Sequence, residues 1–373
     1  MLVEREDTRV MLAEVGRFAQ ERIAAAAARP ETPIAPSVLE QLTHEAAELG
    51  IIHTAAGENG FSIWEHSENA ESMAFNIGAL THLGRANPGV AFSWHRLTLA
   101  RAVAGSLGLT VPFGTTLVST GHYGLAQTSA ARWLKAGALG ADDLALLSDW
   151  LDRTTHTTTL TAHASWPALL WPVWREGRMA WQYARRDQLE ITACRPQHGL
   201  DELSAFQLRD ASSVADVTTI DEAASRRLWS RALTMDFIGL LAIAAGALAR
   251  GQQLATDFAG IRRQGGKIIA GHAAVQQMLS DIEVARHGAD LALSSFARPL
   301  DDIDLGGVVA TRISAHAQLC DAANQVMQVH GGIGYMRDAG PEKLVRDQHM
   351  LKLQSGGTRD ASLFLAGWMG GDA

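Results

Sequence analysis

The chain has 373 residues, of which 47% are apolar, and a formal net charge of −8. This length supplies enough apolar material for a large composite core or for two or three domains. Basic residues form no dense run, which argues against nucleic acid as a partner. The two cysteines, Cys194 and Cys320, and the fourteen histidines show no disulfide or metal-ligand spacing. We therefore expect no metal site and favour a reducing, cytoplasmic location.

The first segments of the chain predict helices. Residues 8–29 carry apolar side chains at helical spacing and run up to Pro30, which cannot continue a helix. Ser37 followed three residues later by Glu40 predicts a capping box at the start of a second helix, and Gly50 is expected to end that helix.

Helical periodicity returns over residues 64–107 and is interrupted around Asn87. We predict a helical N-terminal domain over residues 1–118. The first ten residues are charged where a signal peptide needs an apolar core, and no unbroken apolar run reaches about 18 residues, so neither export nor a membrane span is expected.

Residues 154–210 change to short runs rich in β-branched and aromatic residues, separated by proline, glycine or charged turns. They predict a small antiparallel sheet or barrel of about five strands within a reduced middle β-domain over residues 119–220. The segment that follows Gly140 is helix-like. The tryptophans of this region are expected to lie in the core.

A long helix is predicted from about Asp221 to Arg263, with apolar residues along one side. A helix of this length is typical of a bundle, so residues 221–373 are predicted to form a C-terminal four-helix domain. The fold class is therefore mainly α, with the β-domain in the middle.

A second helical run near the C-terminus ends in the segment QVHGGIGY. Gly331 and Gly332 can adopt positive φ and let a ligand approach bare backbone, and Gln328 offers an amide in the last turn. In the segment PEKLVRD that follows, acid precedes base by one helical turn, which favours ion pairing over catalysis. We assign Glu342, Lys343, Arg346 and Asp347 to structure.

This C-terminal segment resembles the signature of the acyl-CoA dehydrogenases. The matching residues are Gln328, Gly331, Gly332, Gly334, Tyr335, Pro341, Glu342, Leu344, Arg346, Asp347, Gly357 and Thr358. The turn RRQGGK also resembles a turn of that family, although Gly265 stands where the family has an aromatic residue.

The resemblance implies an oligomeric flavoprotein that binds FAD, acts on an acyl-CoA thioester from fatty acid or steroid side-chain catabolism and passes electrons to an electron-transfer flavoprotein. It assigns cofactor contacts to Arg262, Gln328, Gly331, Gly332 and Thr358, with Arg262 reaching the flavin of a neighbouring subunit. A guanidinium can hold phosphate oxygens in pairs, and a hydroxyl can bond to a flavin edge.

The family's catalytic carboxylate is missing from both of its usual positions, which are Gly356 and Gly239 in this chain. The two segments by which the family's middle domain contacts the flavin and the thioester are not visible either. Removal of an α-proton needs such a base.

Three explanations are open. The chain is one subunit of a heteromer whose related partner holds the glutamate, or another group such as Asp236, Asp360 or His330 acts, or the fold serves a flavin monooxygenase that needs no α-base. For Asp236 and His330 we also expect structural roles, as a solvated helix residue and as a cap of the turn. A rival from another class is a cofactor-free subunit that serves assembly alone.

Overall fold

The computed structural model describes residues 6–53, 62–118, 126–137, 139–153, 158–194, 196–210 and 216–370. Residues 1–5 of the charged N-terminus and residues 155–157 of the first β-rich run lie outside these ranges. The N-terminal helices are α1 (Glu6–Phe18), α2 (Ala24–Ala26), α3 (Pro36–Glu48), α4 (Ala70–Ala86) and α5 (Pro88–Ser106), and a π-helical segment, Ala19–Ile23, joins α1 to α2.

The predicted capping box at the second helix is wrong. Ala35 is the N-cap of α3 and makes no side-chain cap, and Pro36 fills the first helical position. Proline suits that position because its fixed φ matches the helix and no N–H is lost there. Glu40 instead accepts a hydrogen bond from Ser165 Oγ at 2.7 Å, which ties α3 to the middle of the chain.

The described part of the predicted β-rich stretch contains five strands, as expected, but they lie in two sheets, one of which also includes two short strands from outside that stretch. The elements are β1 (Thr116–Leu117), α6 (Ala126–Ala136), α7 (Ala141–Arg153), β2 (Thr158–Ala162), β3 (Ala168–Arg175), β4 (Arg178–Arg185), β5 (Glu190–Ala193), β6 (Ser204–Asp210) and β7 (Val217–Thr218). The strand orders are β1-β3-β4-β7 and β2-β6-β5. Only the β1–β3 pair is parallel among these pairings.

The C-terminal region is helical, as predicted. Its elements are α8 (Glu222–Ile261), β8 (Arg263–Gln264), β9 (Lys267–Ile268), α9 (Ala273–Ser295), α10 (Leu305–His330), α11 (Pro341–Leu353) and α12 (Gly357–Met369). The 40-residue α8 is confirmed, with Asp221 as its N-cap. It contacts α4, α5, α9, α10 and α11 and is the central element of the fold.

Two hydrophobic clusters form the core of the described residues. One runs through the N-terminal and C-terminal helices together, and the smaller one fills the two sheets. Trp166, Trp171 and Trp181 are buried, which confirms them as core residues. One window of α8 is apolar and long enough to cross a bilayer, but 94% of it is buried inside the protein. This burial is what the central helix of a bundle requires.

The acid and base pairs of α11 join the C-terminal helices to the middle region, as their structural assignment requires. Arg346 donates to Asp201 at 2.7 Å and to Glu342 at 2.7 Å. Lys343 Nζ lies 2.8 Å from Asp347 and 3.3 Å from Glu202. Burial alone would lower the pKa of Lys343, but these two carboxylates raise it above its ordinary value.

We expect Lys343→Met to lower the free energy of unfolding by about 3–5 kcal/mol, because Glu202 and Asp347 are left buried without their cation. Arg22→Met is the control, since it removes an exposed partner of Glu45 and is expected to cost less than about 1 kcal/mol. Urea unfolding followed by circular dichroism measures both changes. Equal losses in the two variants would contradict the assigned role of Lys343.

Candidate functional site

Asp236, a candidate base, lies in the middle of α8 and is fully buried. The alternative of a solvated helix residue is therefore wrong. Its Oδ1 is 3.0 Å from His95 Nε2, and its Oδ2 accepts from Ser355 Oγ at 2.6 Å and lies 3.3 Å from Arg96 Nη1. A carboxylate in this apolar helix is tolerated because these donors compensate its lost hydration.

The hydrogen bonds around His95 fix its tautomer. Trp64 Nε1, which can only donate, lies 2.9 Å from His95 Nδ1. Nδ1 is thus the acceptor, and Nε2–H donates to Asp236. Burial lowers the pKa of His95, and the hydrogen bond that His95 donates to Asp236 opposes that shift only in part. The imidazole is neutral at pH 7 and has no free lone pair to accept a proton.

Gly239, one of the two positions where the resemblance places a catalytic glutamate, faces the same imidazole. A Cβ added at Gly239 would lie 2.3 Å from His95 Cε1 and 2.6 Å from Nδ1. Real Cβ atoms do not approach ring atoms so closely, so His95 occupies the space that a side chain at 239 would need. A glutamate cannot stand there while His95 keeps its place.

Gly356, the other usual position of the base, is also buried, with φ of +100°. The preceding Ser355 has φ of +54°, a conformation that is strained for a residue with a side chain. Its hydroxyl accepts from Arg96 at 2.7 Å while it donates to Asp236. The chain before α12 is thereby held against α8 by the buried cluster.

Arg312 of α10 completes the buried polar region. It donates to the carbonyl oxygens of Lys352, Gln354 and Ser355 and stacks on Phe237 at 4.6 Å. Burial lowers the pKa of Arg312 to about 10, so it stays charged at pH 7.

Asp360, the second candidate base, is buried beside Arg312 and Ser355 at a cavity of only about 10 Å³. Such a volume holds about one water molecule. An acyl chain has no room here.

The predicted cofactor residue Arg262 lies at the opposite end of α8 as its exposed C-cap. Its backbone carbonyl accepts from Ile269 N, and its guanidinium makes no hydrogen bond or ion pair with the residues that the structure describes. The adjoining hairpin β8–β9 turns on Gly265 (φ +59°) and Gly266 (φ +79°). Two successive positive φ values require glycine, which explains the absent aromatic residue.

The glycine turn after α10 lies at the same end of the bundle. His330 stacks on Phe258 with ring centroids 4.5 Å apart, and Phe258 is one turn before Arg262 on α8. His330 is buried and bonds through Nδ1 to the carbonyl of Val326 at 2.8 Å. The fold therefore brings Arg262 and the glycine turn together, with His330 as a structural support.

The backbone of that turn is open to solvent. Gly331 has φ of +60°, and a Cβ added at Gly331 or Gly332 would meet nothing within 4 Å. Gln328 is exposed and donates to the hydroxyl of Tyr335 at 3.1 Å. Bare backbone, an amide and an unpaired guanidinium on one exposed end are the groups that hold an anionic ligand.

The predicted residues thus fall into two groups. Asp236 and Arg262 are 26 positions apart on the same continuous helix, which is about 39 Å along its axis at 1.5 Å per residue. Thr358 is half-buried in the first turn of α12, three residues after Ser355, and belongs to the Asp236 group. One chain cannot bring both groups to one small ligand.

Sequence reasoning missed His95, Arg96 and Ser355, the partners of Asp236, and Trp64 and Arg312 beside them. One signal was present, since the adjacent His95 and Arg96 interrupt an otherwise apolar stretch of α5. Charged residues are rarely fully buried unless they are paired, so such an interruption indicates a buried partner. It does not say which residue that partner is.

Residues 227–361 match the family profile described as acyl-CoA dehydrogenase, C-terminal domain. Over 122 residues the chain is 31% identical to the 3-sulfinopropanoyl-CoA desulfinase of Paraburkholderia xenovorans, covering 32% of this chain and 31% of the relative. Over 99 residues it is 35% identical to the cyclohex-1-ene-1-carbonyl-CoA dehydrogenase of Geobacter metallireducens, covering 26% of each. The chain therefore aligns with about a third or less of these relatives.

Solved structures resemble the whole chain. The prolyl acyl carrier protein oxidase AnaB superposes with a TM-score of 0.73 at 14% identity, over 98% of this chain and 99% of that one. Butyryl-CoA dehydrogenase from Megasphaera elsdenii gives 0.71 at 14% identity, over 99% of both chains. These likenesses define a protein of the acyl-CoA dehydrogenase fold. The C-terminal profile and the curated relatives point to the same family, the acyl-CoA dehydrogenases.

We expect Gly239→Ala to lower the free energy of unfolding by about 1–3 kcal/mol, because the new methyl group overlaps the His95 ring. Adding His95→Ala should remove this penalty, so that the two changes are not additive in a double-mutant cycle. Unfolding in urea gives the four free energies.

Gly260→Ala is the matched control on the same helix. Gly260 is exposed, and a Cβ there meets nothing within 4 Å. Alanine should therefore stabilise α8 by up to about 1 kcal/mol. The overlap between a side chain at position 239 and His95 would be contradicted by either of two results. One is an equal loss of unfolding free energy in Gly260→Ala and Gly239→Ala, and the other is additivity of Gly239→Ala and His95→Ala.

His316 predicts acid sensitivity. It is buried on α10, and burial, together with the charges of Arg312 and Lys352, lowers the pKa of His316 to about 3. Below pH about 6.5 the unfolded chain binds a proton that the folded chain refuses, so folding loses about 1.4 kcal/mol per pH unit from this group as the pH falls toward 3. In His316→Leu, the free energy of unfolding in urea should fall less steeply as the pH is lowered from 6.5 toward 3. The same slope as in the unmodified chain would contradict the low pKa of His316.

Proposed function

We propose that the chain is an FAD-binding, acyl-CoA dehydrogenase-like subunit of a heteromeric oxidoreductase whose catalytic carboxylate belongs to a related partner chain. The observation that carries the proposal is the contact between His95 and Gly239. It fills the space of one usual base with a neutral imidazole that has no free lone pair. The second usual position is also a glycine, in a buried segment.

The open end of the bundle supports the cofactor part of the proposal. Arg262 would hold phosphate oxygens of the dinucleotide, since its guanidinium has no partner among the described residues. Gly331 and Gly332 would leave room for the ligand at the backbone, and Gln328 would orient it through its amide. When bound, FAD supplies the hydride acceptor of an α,β-dehydrogenation.

The separation of the two groups of residues supports a shared site. Arg262 and Thr358 are candidate contacts of one cofactor, yet Thr358 lies with Asp236, about 39 Å along α8 from Arg262. In an antiparallel pair of protomers, the Arg262 end of one protomer would lie beside the Thr358 region of the other. Exposed apolar residues at the Arg262 end, Ile261, Ile268, Ile333, Tyr335 and Met336, are suited to such a contact.

In this arrangement the partner's active site would do the chemistry. Its carboxylate would remove the α-proton of the acyl-CoA thioester, and an electron-transfer flavoprotein would accept the electrons. Asp236 would remain structural in this chain because it is fully buried and held by His95, Arg96 and Ser355, and Asp360 because it lines a cavity of only about 10 Å³. Their roles are to neutralise the buried arginines.

A cofactor-free assembly subunit is the second candidate, and the closed interior around Asp236 favours it. Flavin content separates the two. The proposed subunit, co-expressed with a dehydrogenase-like product of a neighbouring gene, should co-purify as a yellow complex that oxidises an acyl-CoA, and should be inactive alone. A colourless complex would contradict flavin binding. Dehydrogenation of an acyl-CoA by this chain alone would contradict the assignment of the catalytic base to a partner chain.

We expect Arg262→Ala to reduce the flavin retained by the complex at least about tenfold, because a charge-assisted contact to phosphate is lost. Flavin absorbance per protein after gel filtration measures the change. Arg227→Ala, an exposed arginine near the other end of α8, is the control and should retain the flavin. Unchanged flavin in Arg262→Ala would remove this residue from the site.

A further inference from the structure

A cavity of about 440 Å³ lies outside both groups of candidate residues. It is lined by α2 and the loop after it, the end of α4, the middle of α8 and the segment that leads into α11, and it is partly open to solvent. Arg250 in its wall is 14 residues from Asp236 and 12 from Arg262 on α8, about 21 and 18 Å along the axis. Neither the closed cluster nor the proposed flavin contacts use this cavity.

About half of the surface of the cavity is apolar, and small residues make much of that part. They include Ala24, Ala27, Ala86, Ala247, Gly84 and Gly340, beside the larger Leu254 and Leu344. Small side chains on neighbouring helices leave a hollow that larger ones would fill. The wall is also firmly packed, because a Cβ at Gly251 would lie 2.2 Å from Leu344 Cδ2. The hollow is therefore a preformed feature.

Three arginines from three different elements line this hollow. Arg85 ends α4, Arg250 lies on α8, and Arg29 follows α2. Arg85 and Arg250 are exposed and make no hydrogen bond or ion pair with the described part of the chain. Arg29 bonds only to its neighbour Glu31, with its side chain 77% exposed. Guanidinium groups that line one cavity favour an anionic ligand, which they can bind in pairs of hydrogen bonds.

The carboxylates of the inner wall do not cancel this attraction, because they are already engaged. Glu202 accepts from Asn87 at 2.8 Å and from Lys343 at 3.3 Å. Asp347 accepts from Lys343 at 2.8 Å and from the backbone N–H of Leu200 at 2.7 Å. These bonds hold the wall together. Asp338 is the one exposed acid among the lining residues.

We propose that this cavity binds a small organic anion, with its apolar body against the alanines and a phosphate or carboxylate group between Arg85 and Arg250. An inorganic ion would leave the apolar surface unused, and the volume falls within the range of small-molecule sites. A hollow of this size between four elements, partly open to solvent, favours a compact molecule over a peptide. The assignment is independent of flavin binding and of the partner subunit.

Isothermal titration calorimetry of the full chain at low salt, with phenyl phosphate as the probe, tests the proposal. We expect phenyl phosphate to bind at least about tenfold more tightly than inorganic phosphate, because only the former covers the apolar surface. Arg85→Gln and Arg250→Gln should each weaken phenyl phosphate about tenfold. Ala28→Leu, at an exposed lining position, should bring its affinity down to that of inorganic phosphate.

Arg337→Gln is the matched control, since Arg337 is exposed next to the cavity but does not line it. It should bind phenyl phosphate like the unmodified chain, and circular dichroism should show that every variant is folded. Three results would overturn the site: no binding at millimolar phenyl phosphate, equal affinity in the Arg85 and Arg250 variants, or equal weakening in Arg337→Gln. Binding of a hexaglutamate peptide without phenyl phosphate would overturn the small-molecule assignment.

Discussion

The hydrogen-bonded pair of Asp236 and His95 is the interaction on which the organisation of this chain depends. A carboxylate in the centre of a buried helix is costly unless donors surround it. Here the donors come from α5 and from the turn before α12, so that one carboxylate joins the N-terminal helices, α8 and the C-terminal segment. The absence of a side chain at Gly239 is what allows His95 to reach it.

The filled space around Asp236 and His95 limits the chemistry that this chain can do. In the region where a base and a substrate would have to meet, the chain has a neutral imidazole, a compensated carboxylate and room for about one water molecule. At the C-terminal end of α8 the opposite holds, with an arginine that has no partner among the described residues, open glycine backbone and exposed apolar residues. This contrast supports the proposal that the chain completes the site of a neighbour.

A strong sequence signature does not have to mark chemistry. The charged residues of PEKLVRD, which carry part of the family resemblance, form ion pairs that hold α11 against the loop before β6. Their spacing of one helical turn is a requirement of that joint. The glycine turn and Arg262, by contrast, are exposed at the C-terminal end of α8.

The sequence by itself determined the helices, the five strands of the β-rich stretch and the family of the C-terminal domain, because apolar periodicity, turn residues and the glycine-rich signature act locally. The resemblance of the sequence to the acyl-CoA dehydrogenases also led to the expectation that glycines stand at both usual positions of the base. It could not show that Asp236 is buried, that His95 fills the space above Gly239, or that Asp236 and Arg262 are separated by about 39 Å along one helix. Those facts depend on which residues from distant segments meet. Only packing decides that, since a helical pattern specifies a face of a helix but not its neighbour.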